Sequence, residues 1–219
     1  MDDPEEFQSF IHSYSSRVLT VHATSATPVT KLYLLSHTVP AKISAIKFSI
    51  VSHDQGYLTT SAEVSCTWFD ATILRPTVSA GDDGKSRWPS PPSVADTTCC
   101  SKPSDLAEEF ERQGWKLVDA VPCDGLFRVC ANSISVHWQT HETFWNAGPV
   151  SDIHKTPGAK FIDTLKEGDR IIVWARATVS LWPLIFSKAD CLSTPDALQS
   201  PNGMNYVKHA RIEVTVAVR

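Results

Sequence analysis

At 219 residues, with 42% apolar and 20% charged residues, the chain has ordinary globular composition, which excludes wholesale disorder. The length has room for one large or two small domains, and a mostly β chain of this size can remain one unit. A net charge of −4, with Lys and Arg scattered rather than gathered into a stripe, supplies no general attraction for a polyanion, so nucleic acid is not an expected partner.

The first six residues, Met1-Asp2-Asp3-Pro4-Glu5-Glu6, are acidic where a secretory signal needs a basic start and an apolar run, and they lack an N-myristoylation motif. No stretch reaches the roughly 20 apolar residues of a membrane span. A cytoplasmic protein with no membrane partner is expected. The six cysteines (Cys66, Cys99, Cys100, Cys123, Cys130 and Cys191) show no compact framework, which points to free thiols. Adjacent Cys99 and Cys100 lack the two further ligands at C-x-x-C-like spacing that structural zinc requires.

In chain order, residues 1–17 are read as a helical or flexible segment, because Phe7, Phe10, Ile11 and Tyr14 recur at i, i+3, i+4 and i+7 behind Asp3-Pro4. Residues 18–219 are read as one β-sandwich domain. Strands are expected at 18–24, 31–35 and 41–51, the last with Ile46, Phe48 and Ile50 on one face. Residues 53–60 should form a loop at one end of the sheet, where rigid sandwiches carry binding groups, and 65–69 resumes an extended pattern. The span 76–104 holds Gly81-Asp82-Asp83-Gly84 and Pro89-Ser90-Pro91-Pro92, and its prolines and small polar residues predict a mobile insertion. A short helix follows over 104–114, with Ser104 as cap and Gly114 at its exit. Further strands are expected at 115–121, 126–130, 133–139, 160–165, 170–179 and 207–218. The last alternates Ile212, Val214, Val216 and Val218 with Glu213, Thr215 and Ala217. Many short strands, few helices and no internal repeat predict an all-β fold: an antiparallel, jelly-roll-like sandwich with one or two short helices and long loop insertions.

Several residues invite chemistry. His53 and Asp54, with Gln55, set an imidazole beside a carboxylate, which is half of an acid/base site or a self-bonded turn. His137, His141 and Glu142 suggest a metal site drawn from adjacent strands, but the two histidines lie ~13 Å apart along a strand. No nucleophile elbow and no phosphate-binding glycine loop occurs. In 170–177, Arg170, Ile172, Trp174 and Arg176 share one face and Ile171, Val173, Ala175 and Ala177 the core face. The first face is either a recognition surface for a carboxylate or sugar, or a cation and ring ladder that stabilises a second layer. Trp68, Trp138 and Trp174 read as core, whereas Trp145 and Trp182 read as strand-end rings that could face a ligand.

Ser52-His53-Asp54-Gln55-Gly56, Thr67-Trp68-Phe69-Asp70, Gly168-Asp169-Arg170-Ile171-Ile172-Val173-Trp174-Ala175-Arg176-Ala177 and the closing run from Asn205 to Val214 together resemble a recurrent fungal β-sandwich domain. That domain often accompanies ankyrin repeats and has no settled biochemical function. The match spans about residues 41–70 and 126–216. More distantly, the pattern looks like galactose-binding-type jelly rolls, used as sugar- or protein-recognition appendages. Two departures stand out: Tyr57 replaces the usual Trp, and 183–203 interrupts the passage to the last strand, as a genuine loop or as retained intron sequence.

The expectation is therefore a non-catalytic recognition module that binds a carbohydrate or peptide through loops at one end of the sandwich. The lining is assigned to His53, Asp54, Gln55, Tyr57, Trp145, Arg170, Arg176, Trp182 and Asn205, with no cofactor and no metal. A protein-interaction scaffold is the alternative, and a cupin-like metalloenzyme built on His137, His141 and Glu142 the third reading.

Overall fold

The computed structural model describes residues 6–40, 42–55, 65–77, 88–93, 98–118, 127–147, 156–179 and 203–218. Ten strands are present there: β1 (Glu6–Ser15), β2 (Leu19–Ala23), β3 (Val29–Thr38), β4 (Ile43–Asp54), β5 (Thr67–Pro76), β6 (Trp115–Leu117), β7 (Phe127–Ala131), β8 (Gln139–Asn146), β9 (Arg170–Ala177) and β10 (Gly203–Val218). A 3-10 turn (Pro103–Leu106) leads into helix α1 (Ala107–Arg112), and helix α2 (Pro157–Thr164) precedes β9.

The strands form two antiparallel sheets, ordered β1-β10-β4-β8 and β3-β9-β5-β6. β2 also pairs with β10, along Gly203 to Val207, while β1 pairs with its far half. β7 and β6 likewise share β5, at Trp68 to Ala71 and at Leu74 to Pro76. Each broken pair therefore fills one edge position, which leaves eight positions alternating between two sheets. This is the strand order of a jelly roll.

Between the sheets lies one large core that includes Ile46, Phe48 and Ile50 of β4, Phe69 of β5, Ile171 and Val173 of β9, and Ile212 and Val214 of β10. All eight residues of β9 are buried, because its other face is also covered. There Ile172 and Trp174 pack with Leu74, Phe110 of α1 and Trp115 of β6 in a second cluster. Trp174 Nε1 donates to Thr72 Oγ1 at 2.8 Å, satisfying the indole inside this layer.

Four expectations are corrected. Residues 6–15 form a strand, not a helix, since the exposed edge of β10 offers nine residue pairs, whereas an isolated helix of this length is unstable in water. Residues 160–165 belong to α2, not to a strand. Thr156 caps that helix, its Oγ1 accepting from Ala159 N at 3.2 Å, with Pro157 in the first turn. The expected strand at 133–139 is irregular through 138, and Trp138 is 44% exposed rather than core. Finally, the described parts of 76–104 pack against the sandwich. Ser90 O accepts from Trp115 Nε1 at 2.9 Å, and Cys100 bridges Thr30 of β3 through paired backbone hydrogen bonds. Residues 183–202 lie outside the described residues. No helix among the described residues is long and apolar enough to cross a membrane.

α2 closes one end of the sandwich by laying Phe161 and Ile162 into the core against Phe127 and Trp145. Its Gly158 is the contact point: a Cβ there would lie 2.3 Å from Trp145 Cγ and 2.8 Å from its Cβ. Those atoms sit at the root of the indole and cannot swing away. Gly158→Ala gains up to ~1 kcal/mol of helix propensity but incurs ~1–3 kcal/mol of overpacking. Chemical denaturation of this variant is therefore expected to show a net loss of about 1–2 kcal/mol.

Candidate functional site

The two sheets differ in what covers them. The outward side of the second sheet carries α1, the Trp115 ring and the 98–106 segment, whereas that of the first sheet presents side chains to solvent. Alternation along β4 turns Ile50, Ser52 and Asp54 inward and Val51 and His53 outward. On β10, Asn205 and Val207 are buried while Tyr206 faces out beside His53, its register partner.

These positions assemble a row of rings. Tyr206 stacks on His53 with centroids 4.5 Å apart and planes 15° apart, and Trp138 meets His53 edge-on at 4.4 Å. Lys208 Nζ lies 5.9 Å from the Trp138 ring, inside cation-π range. His53 Nδ1 donates to the Asp54 carbonyl O at 2.6 Å, a bond that leaves Nε2 of the neutral ring as an acceptor. Farther along the same side, Tyr14 of β1 stacks on His209 with its hydroxyl 3.0 Å from Nδ1.

Beneath the row lies a buried polar node that joins the two sheets. Ser52 Oγ donates to Asn132 Oδ1 at 2.6 Å, and Asn132 Nδ2 donates to Thr67 Oγ1 at 2.8 Å and to Asn205 Oδ1 at 3.0 Å. Asn205 Nδ2 in turn donates to the carbonyls of Arg176 and Trp68 at 3.1 and 3.3 Å. Asp54 accepts from Ser135 N at 2.9 Å and from Ser65 Oγ at 3.1 Å, which ties two loop segments to the end of β4. The network fixes the strand ends that carry His53 and Tyr206.

Of the described residues among those assigned from sequence, His53 alone takes part in the row. Asp54 and Asn205, 5% and 0% exposed, serve the node beneath it, and His53 and Asp54 point to opposite sides, so they form no acid/base pair. Gln55 follows β4 at half-burial. Trp145 is a core ring, packed on Phe48 at 4.7 Å and on Phe161 at 4.9 Å. Arg170 donates to Ser36 O at 2.6 Å and covers Trp115 at 5.2 Å. Arg176 bonds Asp70 at 2.9 Å and Ser101 O at 3.3 Å, and sits over Trp68 at 5.2 Å. The arginine face of β9 is thus the ladder of a second layer. Tyr57 and Trp182 lie outside the described residues.

The metal reading meets a geometric obstacle. His137 precedes β8 and is exposed; on β8, His141 turns toward Ile50 while Glu142 turns outward to Lys47 at 2.7 Å. Burial lowers the pKa of His141, and the Lys47 ammonium lowers that of Glu142. Among the described residues no three His, Cys, Asp or Glu side chains converge on a common point. Burial pushes the thiols of Cys100 and Cys130 up to about 11 and about 12, opposite to activation. Sequence reasoning missed Tyr206, Lys208 and Trp138 as site residues. The available signal was the alternation of Asn205 and Val207 with Tyr206 and Lys208 on the last strand.

No family profile and no curated protein matches this chain. Among solved structures it is similar to one of infectious bursal disease virus, Gx strain, with 10% identity and a TM-score of 0.39 over 98% of this chain and 32% of that one. The VP2 subviral particle of infectious bursal disease virus gives 10% identity and a TM-score of 0.38, over 98% and 33% of the two chains. This chain spans about a third of the length of those chains.

The division between row and node is testable by denaturation. Asn205→Ala leaves two buried carbonyls and an amide without their partner and is expected to cost about 2–3 kcal/mol. His53→Ala removes only half-exposed ring contacts and is expected to cost less than about 1 kcal/mol.

Proposed function

We propose that this protein is a non-catalytic recognition module that binds a carbohydrate on the outward side of the first sheet. The observation that carries the reading is the Tyr206, His53 and Trp138 row with Lys208 at its end. Rings offer apolar faces to the C–H side of a sugar, while the His53 Nε2 lone pair and the Lys208 ammonium supply an acceptor and a donor for its hydroxyls. The buried node makes the surface rigid before the ligand arrives, which lowers the entropic cost of binding. The more distant resemblance to galactose-binding-type jelly rolls, used as sugar- or protein-recognition appendages, favours a recognition module.

A second reading, a protein-interaction scaffold, draws on Phe7, Ile11 and Tyr14 of β1 and Phe144 of β8, which are 55 to 62% exposed on sheet positions. It calls for a flatter, more apolar contact than a sugar needs. The two separate on immobilised glycan and peptide arrays.

The carbohydrate reading predicts retention by a defined set of glycans. Trp138→Ala is expected to weaken that binding about tenfold, or ~1.4 kcal/mol, without changing the unfolding midpoint. Retention only on peptides, or glycan binding untouched by Trp138→Ala, overturns it.

A further inference from the structure

The first strand is attached to the sandwich differently from the others. From Phe7 to Ser15 only His12 and Ser13 are buried, while Phe7, Phe10, Ile11 and Tyr14 stand 38 to 56% exposed. Across β10, by contrast, β4 contributes Ile46, Phe48 and Ile50 at 1% each. β1 therefore adds backbone pairing to the sheet and no buried apolar side chain among those residues. Beyond its ladder with β10, the Ser9–Thr215 hydroxyl contact and the Tyr14–His209 pair, its attachment to the body of the sandwich rests on the two buried polar groups.

Those groups form a seam with β3. The β1–β10 register shifts between Ile11 and Ser13, so His12 falls out of the ladder. Its Nε2 donates to the His37 carbonyl O at 3.1 Å. Ser13 Oγ donates to His12 O at 2.7 Å and accepts from His37 N at 2.9 Å. The groups that act on His12 are the His37 imidazole from β3, edge-on at 6.3 Å, and the Arg170 guanidinium from β9, both of which disfavour a second cation. From its own strand it meets the uncharged Phe10 ring, also at 6.3 Å.

The chain beyond the strand is anchored. Arg17 Nη2 donates to Leu32 O at 2.9 Å, and Tyr33 Oη donates to Arg17 O at 2.7 Å. Ser16 thus lies between a strand held by a seam and a point fixed on β3.

We propose that His12 is an acid-sensitive latch: its protonation opens the seam with β3 and lets β1 leave β10, with Arg17 as the fixed point. Burial, followed by the fields of His37 and Arg170, lowers the His12 pKa below its ordinary 6.5, although the bond to His37 O opposes this. The released strand therefore binds the proton more readily than the docked one. Docking is fully supported above pH 6.5 and weakens as pH falls through the lowered value.

Hydrogen exchange of the full chain, corrected for intrinsic rates, tests this between about pH 7.5 and about pH 5. The opening equilibrium of the β1 amides is expected to rise about tenfold or more at the lower pH while the Ile46 to Ile50 amides stay protected. His12→Gln, which keeps an N–H donor and cannot take a charge, should abolish that rise. His37→Gln keeps the backbone acceptor but removes the imidazole that disfavours charge on His12, and should move the transition to lower pH. If His12→Gln leaves β1 unprotected at both values, the His37→Gln shift decides the matter. Unchanged β1 protection at low pH, an equal rise in His12→Gln, no shift in His37→Gln, or parallel loss of protection in β4 overturns the proposal.

Discussion

The arrangement depends on placing two arginines in a strand that is buried on both faces. β9 carries Arg170 and Arg176 at 8% exposure each, and neither guanidinium can discard its charge to suit the site. Arg176 is satisfied by Asp70, a 2% exposed carboxylate on β5 that also accepts from Arg128 Nε and from Trp68 Nε1, both at 2.8 Å. Trp68 lies between the two guanidinium groups, 4.9 Å from Arg128 and 5.2 Å from Arg176. Arg170 uses Ser36 O and the face of Trp115. These demands draw α1, the Trp115 ring and the Ser101 carbonyl onto the outward side of the second sheet. Leaving one buried charge without its partner costs about 3–5 kcal/mol, comparable to much of a domain's net stability.

Covering one sheet leaves the other to meet solvent. Because the second sheet uses its aromatic residues to shield arginines, rings able to meet a partner are concentrated on the first, at His53, Tyr206, Trp138 and the Tyr14 and His209 pair. The buried node of Ser52, Asn132, Thr67 and Asn205 then has a double role. It closes the sandwich where apolar packing thins out, and it fixes the strand ends that present the rings. A fully bonded polar network of this kind specifies a single geometry, whereas one missing member leaves several buried groups unpaired.

Much of the fold was legible, and the failures share a cause. Strict two-residue alternation located β4 and β10, and the twofold reading of β9 assigned Ile171, Val173, Ala175 and Ala177 to the core. The cap and first-turn pair Thr156-Pro157 marks α2, and a reading of 160–165 by its apolar residues alone passed it over. A genuine helical period at Phe7 to Tyr14 was overridden by a ladder partner about 200 residues away, which no local pattern reports. The candidate site was less legible, because ligand-facing and structural use of the same residue types depends on which sheet is covered. Arg176 and Asn205 look like ligand groups in the sequence and are internal partners in the fold, while Trp138 looks like core and stands in solvent.

Register shifts account for what alternation alone does not place. Between Val207 and His209, β10 steps by one residue relative to β4, so that His209, which regular pleating from Tyr206 would turn inward, stands beside Lys208 on the outward side. Between Ile11 and Ser13, β1 steps relative to the same strand, which drives His12 out of the ladder and across to β3. β10 thus departs from regular pairing at three points, two toward β4 and one toward β1, and the shifts at Val207/His209 and Ile11/Ser13 re-aim His209 and His12. A strand of 16 residues serving three neighbours could not keep its twist matched to all of them without such steps. The outward His209 that meets Tyr14 and the polar seam of β1 are consequences of how that mismatch is relieved.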